Sequence, residues 1–333
     1  MAFDGRGGVP SRVVMHCAVI ANRGGAVDLS YTQNLEDYHV ALAFAGQATG
    51  TYVDIGAGHP VADNVSFWFY QRGWQGLVVE PQADLLALYA RLRPRDIRVG
   101  ALVGARDGEA DFHKVDRLHG FSTTIAAHAE KAGAFGAAFS TERRPMATLA
   151  TVFATHGLTD IDLLKVDVEG GEAEVLAGND WTRWRPKLVL VEAVAPVTGE
   201  PAWEAFEPAL LAQGYRFALF DTLNRFYVAE EHPEIFARVP RERADWHAVR
   251  HMYEIGRAPE NAAHPDHALA ETLAHGFFAS LPWLDDTVLA EILARGAAAR
   301  GDAAPLPDLT GEAFRFALGR IACGYDGGQI LGE

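Results

Sequence analysis

Cysteine is almost absent: among 333 residues only Cys17 and Cys323 occur. Two thiols with no ligand spacing around either can form neither a disulfide framework nor a zinc site. Basic residues are scarce as well, with 29 Lys and Arg against 44 Asp and Glu. The resulting net charge of −15 has the wrong sign for binding nucleic acid or anionic lipid by counterion release, so neither partner is expected. Long hydrophobic runs are also missing. The stretch Val13–Ala21 is interrupted by His16 and falls short of the ~20 residues that a membrane span needs. As a signal peptide it would have a short apolar region, Asp4 beside Arg6 and Arg12 ahead of it, and no clean small-x-small site behind it. The cytoplasm is therefore the expected compartment. His113, His119, His128 and His156 show no H-x-x-x-H spacing, so the histidines do not argue for a metal.

What is present is a globular composition, 49% hydrophobic, and one informative segment. Thr51-Tyr-Val-Asp-Ile-Gly-Ala-Gly-His59 reads as a buried strand ending in an acidic residue and a glycine turn. Gly56 and Gly58 carry no Cβ, which lets backbone N–H groups approach a ligand. A second strand, Gly76–Val79, ends on Glu80, about where a doubly wound sheet places the carboxylate that grips a ribose diol. Together they indicate a nucleoside cofactor. The turn is not a dinucleotide fingerprint, because Val61 stands where the third glycine of G-x-G-x-x-G belongs. Asp54, two residues before Gly56, would repel a phosphate and welcome a sulfonium, which points to S-adenosylmethionine.

The rest of the pattern alternates. Val61, Val65, Trp68 and Phe69 recur at helical spacing up to a stop at Gly73, and a second helix is predicted over Ala83–Leu92. A strand over Ile97–Val103 precedes a polar excursion through Asp107–Ser140. Then come a strand over Ile161–Asp167, a short helix over Glu172–Ala177, a strand over Leu188–Glu192 and a helix near Trp203–Ala212. Tyr215–Phe220 and Arg225–Ala229 are separated only by Asp221–Asn224, too short a link for a crossover, so they form an antiparallel hairpin. The expected fold is α/β and Rossmann-like: a mostly parallel sheet with one antiparallel strand at the end. Capped amphipathic patterns at Pro265–Ala274 and Asp285–Ala294 predict a helical C-terminal extension. The domain reading is an N-terminal segment over 1–29, a cofactor-binding domain over 30–230, and an extension over 231–333 that lids the pocket or joins subunits of a homo-oligomer.

Six motifs in order narrow this further: Tyr31-x-Gln33-Asn-x-Glu36-Asp37, Tyr52-Val-Asp54-Ile-Gly-Ala57, Gly73-Trp-x-Gly76 leading to Glu80-Pro81, Gly120-Phe-Ser-Thr123, Lys165-Val-Asp-Val-Glu-Gly170 with Glu172, and Leu223-Asn-Arg-Phe-Tyr-Val228. Through them the chain resembles the FkbM family of class I, S-adenosylmethionine-dependent methyltransferases, from Ser30 to Ala229. The resemblance implies methylation of oxygen, on a hydroxyl of a sugar or secondary metabolite, with a small-molecule or glycan acceptor. It also implies that Asp54, Gly56, Ala57 and Gly58 line the methionine and ribose portion of the cofactor. Glu80, followed by Pro81, would take the ribose hydroxyls, and the segment holding Gln33 and Asp37 would cover the cofactor. Two rivals remain open from the residues alone, a nicotinamide-dependent oxidoreductase and a non-catalytic nucleoside-binding protein.

Methyl transfer to an alcohol needs positioning, exclusion of water and a base. Asp167 and Glu169 sit where a strand leaves the sheet, the rim at which ligands bind in open α/β folds. Asp167 is the first candidate base, Glu192 at the next strand end the second, and His59 beside the glycine turn a third. Lys165 reads as a salt-bridge partner, and Glu172 as favourable charge in the first turn of a helix. The hydroxyls of Ser122 and Thr123 are placed to bind cofactor or acceptor, although Ser and Thr also cap helices. A divalent metal on Asp167 and Glu169 is the alternative to a free base. The D-x-E spacing alone does not favour it.

Overall fold

A computed structural model describes residues 29–115, 122–126, 128, 130, 138–195, 198–301 and 307–326. The N-terminal segment apart from Leu29, and Gly120-Phe121 of the fourth motif, lie outside them. The chain divides into two compact units, Met1–Met252 and Tyr253–Glu333.

In the first unit, β1 (Leu29–Ser30) leads into α1 (Glu36–Ala43), β2 (Thr51–Ile55), α2 (Val65–Gln71), β3 (Gln75–Val79), α3 (Ala83–Leu92) and β4 (Ile97–Val99). Next come β5 (Leu102–Val103), β6 (Gly108–Val115), β7 (Phe139–Ala147), α4 (Leu149–Thr155), β8 (Leu163–Val166), α5 (Glu172–Ala177) and β9 (Leu188–Glu192). The unit closes with α6 (Glu207–Ala212), β10 (Tyr215–Phe220), β11 (Asn224–Ala229), α7 (Pro233–Arg238) and β12 (Arg250–His251), which pairs parallel to β1. The main sheet has seven strands in the order β10-β11-β9-β8-β2-β3-β4. The β11 strand is antiparallel to both neighbours, and the pairs β9–β8, β8–β2, β2–β3 and β3–β4 are parallel. The reversed strand is thus the last of this sheet's strands in chain order but sits one place in from the sheet's edge.

Both faces of this sheet are covered, so its central strands are apolar at nearly every position. The pleat separates them into two cores. Val53, Ile55, Leu164, Val166, Val189 and Val191 face the helices α4, α5 and α6. Tyr52, Leu163, Leu188 and Leu190 face α1 and α2. By the same alternation the polar residues Asp54, Lys165 and Glu192, at the carboxyl ends of β2, β8 and β9, project from the second face.

Three elements differ from the sequence expectation. The predicted strand Ile97–Val103 breaks at Gly100: β4 pairs with β3 in the main sheet, while β5 pairs with β7 in a separate three-stranded sheet. A glycine there supplies no side chain to hold a continuous ladder. The polar excursion contains a long antiparallel pair, β6–β7, in register from Gly108 opposite Met146 to Val115 opposite Phe139. Its exposed face carries charge, with Arg143 donating to Asp111 at 3.0 Å across the strands, and this masks the apolar alternation. Helix α2 begins at Val65 rather than Val61, because the Asn64 side chain caps it by accepting from the Phe67 N–H at 2.8 Å.

The second unit is helical over His267–Ser280, Asp286–Arg300 and Glu312–Asp326. Asp285 caps the middle helix through the Thr287 N–H, and Gly301 ends it with φ 64°. Among the described residues no helix is long and apolar enough to cross a membrane.

His39 of α1 gives the first unit a testable acid sensitivity. The ring is fully buried, its Nε2 accepts from the Ala244 N–H at 2.8 Å, and its Nδ1 has no hydrogen-bond partner. Burial lowers its pKa from 6.5 to about 4. The unfolded chain therefore binds more protons between pH 6.5 and pH 4, and the stability that His39 contributes above pH 6.5 is lost as the pH falls through that window. His39→Gln keeps an acceptor for Ala244 but does not titrate. Urea unfolding at pH 7.5 and 4.5 is expected to show wild type losing about 2–3 kcal/mol more than the variant. Equal losses would remove His39 as the cause.

Candidate active site

The topology itself creates a crevice between β2 and β8. From β2 the chain winds outward through β3 and β4, and from β8 in the opposite direction through β9, so the loops leaving β2 and β8 diverge above the sheet. Open α/β sheets bind ligands at such a point, outside the carboxyl ends of the strands. A cavity of about 770 Å³ opens here, within the size range of small-molecule sites.

Gly56, with φ 70°, sits where the two strands exit. A Cβ on it would lie 1.7 Å from the backbone oxygen of Asp167. The turn continues to Gly58 (φ 59°), whose N–H donates to Glu80 Oε2 at 2.9 Å, while the Gln82 N–H donates to Glu80 Oε1 at 2.8 Å. Glu80 is 3% exposed, and burial raises its pKa against those two backbone hydrogen bonds. It nevertheless contributes to the cavity wall. Its four acceptor positions are taken in part by these two N–H groups and by the Gln82 side chain, which leaves capacity for a further donor.

The structure brings Gln33, Gly56, Ala57, Gly58, Glu80 and Pro81 into the cavity wall. His59, Ser122, Asp167 and Glu169 join them. The His59 Nδ1 accepts from the N–H groups of Val61 and Ala62 at 3.2 and 3.0 Å, so its ring is turned toward its own loop. Ser122 Oγ accepts from the Val115 N–H at 3.1 Å. Thr123 Oγ1 accepts from the Ile125 N–H and donates to the Glu169 carbonyl, at 3.0 and 2.9 Å.

Asp37, Asp54 and Glu192 are not in the wall. Asp37 is fully buried, and its carboxylate accepts from Ser30 Oγ, the Tyr31 N–H and Thr32 Oγ1 at 2.7, 2.7 and 3.1 Å. It fastens the chain ahead of α1 instead of facing a ligand. Burial pushes its pKa up to about 7. Asp54 lies beneath the glycine turn, 1% exposed. Its Oδ2 accepts from Ser66 Oγ at 2.6 Å, and its Oδ1 lies 3.5 Å from Lys165 Nζ.

A buried polar network that the sequence did not reveal supports the turn from below. Arg93, wholly inaccessible, donates from Nε to Asp96 at 2.7 Å. Its other nitrogens donate to Asn64 Oδ1, Ser66 Oγ, Tyr52 Oη and the Pro60 carbonyl at 2.8, 2.9, 3.0 and 3.2 Å. Asn64 Nδ2 and Tyr89 Oη both donate to the Ala57 carbonyl, at 2.9 and 3.0 Å. An arginine just past a helix reads locally as a complement to the helix dipole, so nothing in the linear pattern marks its role.

Carboxylates converge on the other side of the crevice. Val166 of β8 lies opposite Val191 of β9, so Asp167 and Glu192 follow at the same level. Lys165 Nζ donates to the Gly56 carbonyl at 3.0 Å and stands 3.1 Å from Asp167 Oδ2. Burial alone would depress the Lys165 ammonium, but Asp167 and Asp54 more than reverse this and hold it charged. Glu172 Oε1 accepts from the N–H groups of Val168 and Gly170, both at 3.0 Å. This shapes a turn in which Glu169 takes φ 60°. Burial raises Glu169 and Glu192 well above the usual carboxylate range, and the neighbouring Asp167 raises both further. Such an arrangement can accept a proton at one carboxylate while another stays paired with Lys165.

Comparison with protein families matches residues 54–217 to the methyltransferase FkbM domain. Comparisons with curated proteins and with solved structures returned no match. The matched segment begins at the buried aspartate of the glycine turn and takes in Glu80, Lys165, Asp167 and Glu192, so the chain carries a methyltransferase FkbM domain.

Proposed function

We propose that the protein uses S-adenosylmethionine to methylate a hydroxyl group of a sugar or secondary metabolite. The observation that carries this reading is Glu80: a buried carboxylate clamped by two backbone N–H groups, with acceptor capacity left at the cavity wall. That arrangement suits a ribose diol. The residues also fit the remainder of such a cofactor, because the Gly56–Gly58 turn lines the cavity with no Cβ at either glycine and Asp167, in the same wall, supplies negative charge for a sulfonium. When bound, S-adenosylmethionine supplies an electrophilic methyl group. The chain's own part is to hold the acceptor hydroxyl in line, keep water out and accept the hydroxyl proton. Asp167, which lines the cavity, takes the proton, since an aliphatic hydroxyl is a poor nucleophile until its proton is removed.

Glu80→Ala is expected to weaken S-adenosylmethionine binding at least tenfold. Hydrogen bonds to a charged group contribute about 1.5–3 kcal/mol each, and about 1.4 kcal/mol already makes a factor of ten. Isothermal titration with S-adenosylmethionine, S-adenosylhomocysteine and NAD, with circular dichroism to confirm folding, checks this. Unchanged affinity in the variant, or tight binding of NAD by wild type, would overturn the reading.

A further inference from the structure

We propose that Asp167, Glu169 and Glu192 form a binding site for one divalent cation of the Mg²⁺ or Mn²⁺ class. The sequence places only Asp167 and Glu169 near one another, and that spacing alone carries no metal. The fold adds the third carboxylate by bringing β9 beside β8. One oxygen from each of the three residues lies within 4.8 Å of the others, so side-chain movements of the order of 1–2 Å would bring them to the about 3.0 Å between adjacent and about 4.2 Å between opposite ligands of an octahedral ion with bonds near 2.1 Å. An all-oxygen donor set selects hard cations over zinc or copper.

A second observation points to a ligand. Glu192 is 8% exposed, and among the described residues no donor reaches its buried Oε2; the side chain it meets is another carboxylate, Asp167. A buried carboxylate oxygen left unpaired is costly, and a cation in the cluster would satisfy it. Charge balance agrees. Among the described residues the one ammonium at the cluster, Lys165, is shared between Asp167 and Asp54 at 3.1 and 3.5 Å and donates as well to the Gly56 carbonyl. It occupies one oxygen of Asp167 and leaves Glu169 and Glu192 without a counter-ion in direct contact. Asp167 and Glu169 line the cavity whereas Glu192 is not in its wall, so an ion here would face the cavity with its remaining positions. Mg²⁺ and Mn²⁺ usually keep such positions for water or substrate. Resting on the methyl-transfer reading, the ion would hold the acceptor oxygen and lower its pKa, so that the hydroxyl proton is lost to solvent before the methyl group is transferred and Asp167 acts as a ligand in place of a free base.

The test uses the full chain and Mn²⁺ alone, followed by electron paramagnetic resonance of the free ion. Wild type is expected to bind one Mn²⁺ per chain, and Glu192→Gln to weaken it at least about tenfold. Because Glu192 lies outside the cavity wall, the variant should keep S-adenosylhomocysteine affinity within about a few-fold, which also reports its folding. Glu169→Gln, at a partly exposed position, is expected to weaken Mn²⁺ as well, and it decides the matter if Glu192→Gln fails to fold. No Mn²⁺ binding by wild type, or equal binding by wild type and a folded variant, overturns the site. If wild type binds Mn²⁺ but not S-adenosylhomocysteine, the cation site stands and the cofactor reading falls. The reverse result removes the site and leaves the cofactor reading intact.

Discussion

Gly56→Ala is expected to lower S-adenosylmethionine affinity by about a hundredfold or more. A Cβ at this position meets Asp167 O at 1.7 Å and Asp167 C at 2.9 Å, and neither belongs to a flexible side chain. The two backbones must therefore separate at the point where β2 and β8 leave the sheet. A displacement of the order of 1 Å in a positioning element can by itself cost about 10²-fold. The left-handed conformation at φ 70° adds a smaller penalty of about 1–2 kcal/mol for a residue with a Cβ. Gly58→Ala separates the two effects: it shares the positive φ, but its Cβ would meet nothing within 4 Å. Titration should rank the affinities as wild type, then Gly58→Ala, then Gly56→Ala far below. Near wild-type affinity in Gly56→Ala would show that the strand exits can spread at little cost, and the close-approach argument would fail.

Arg93→Met should destabilise the first unit by about 3–5 kcal/mol, the usual consequence of stranding one member of a buried ion pair. The variant leaves Asp96 buried with only Tyr52 Oη, at 2.5 Å, to answer its charge. It also removes donors to Asn64, Ser66 and the Pro60 carbonyl, all of which sit under the glycine turn. Methionine fills much of the volume, so the loss reports charge and hydrogen bonding more than a cavity. Adding Asp96→Leu should recover part of the loss, because the uncompensated carboxylate is then gone, and the double-mutant cycle should show coupling of about 1–3 kcal/mol. Urea unfolding measures both. A single-variant loss under about 1 kcal/mol would mean that water or rearrangement satisfies Asp96, and that the network is not what supports the turn.

The architecture was legible in the sequence wherever a residue's partner is close in the chain or implied by periodicity. The runs around Val53, Val78, Leu164 and Leu190 announce strands buried on both faces, the amphipathic stretch Ala83–Leu92 became a helix with those bounds, and the four-residue link at Asp221–Asn224 required a hairpin. Glu80 was placed at the cavity from its position at a strand end. Patterns failed where local chemistry and tertiary role diverge. The β6–β7 pair is charged on its open face and so reads as loop, and Gly100 divides what looks like one strand between two sheets. Asp37 and Asp54 look like ligand carboxylates, yet they are consumed by neighbours that only the fold supplies. Arg93 collects partners from Tyr52 to Asp96, and Glu192 joins Asp167 and Glu169 only because β9 lies beside β8. The sequence by itself determined the alternation of elements and the residues at each strand end, because hydrophobic period and turn chemistry act over a few residues. Only the tertiary structure decided which of those strand ends meet, because parallel strands are joined by long crossovers, and their order and register are set by packing across the whole sheet.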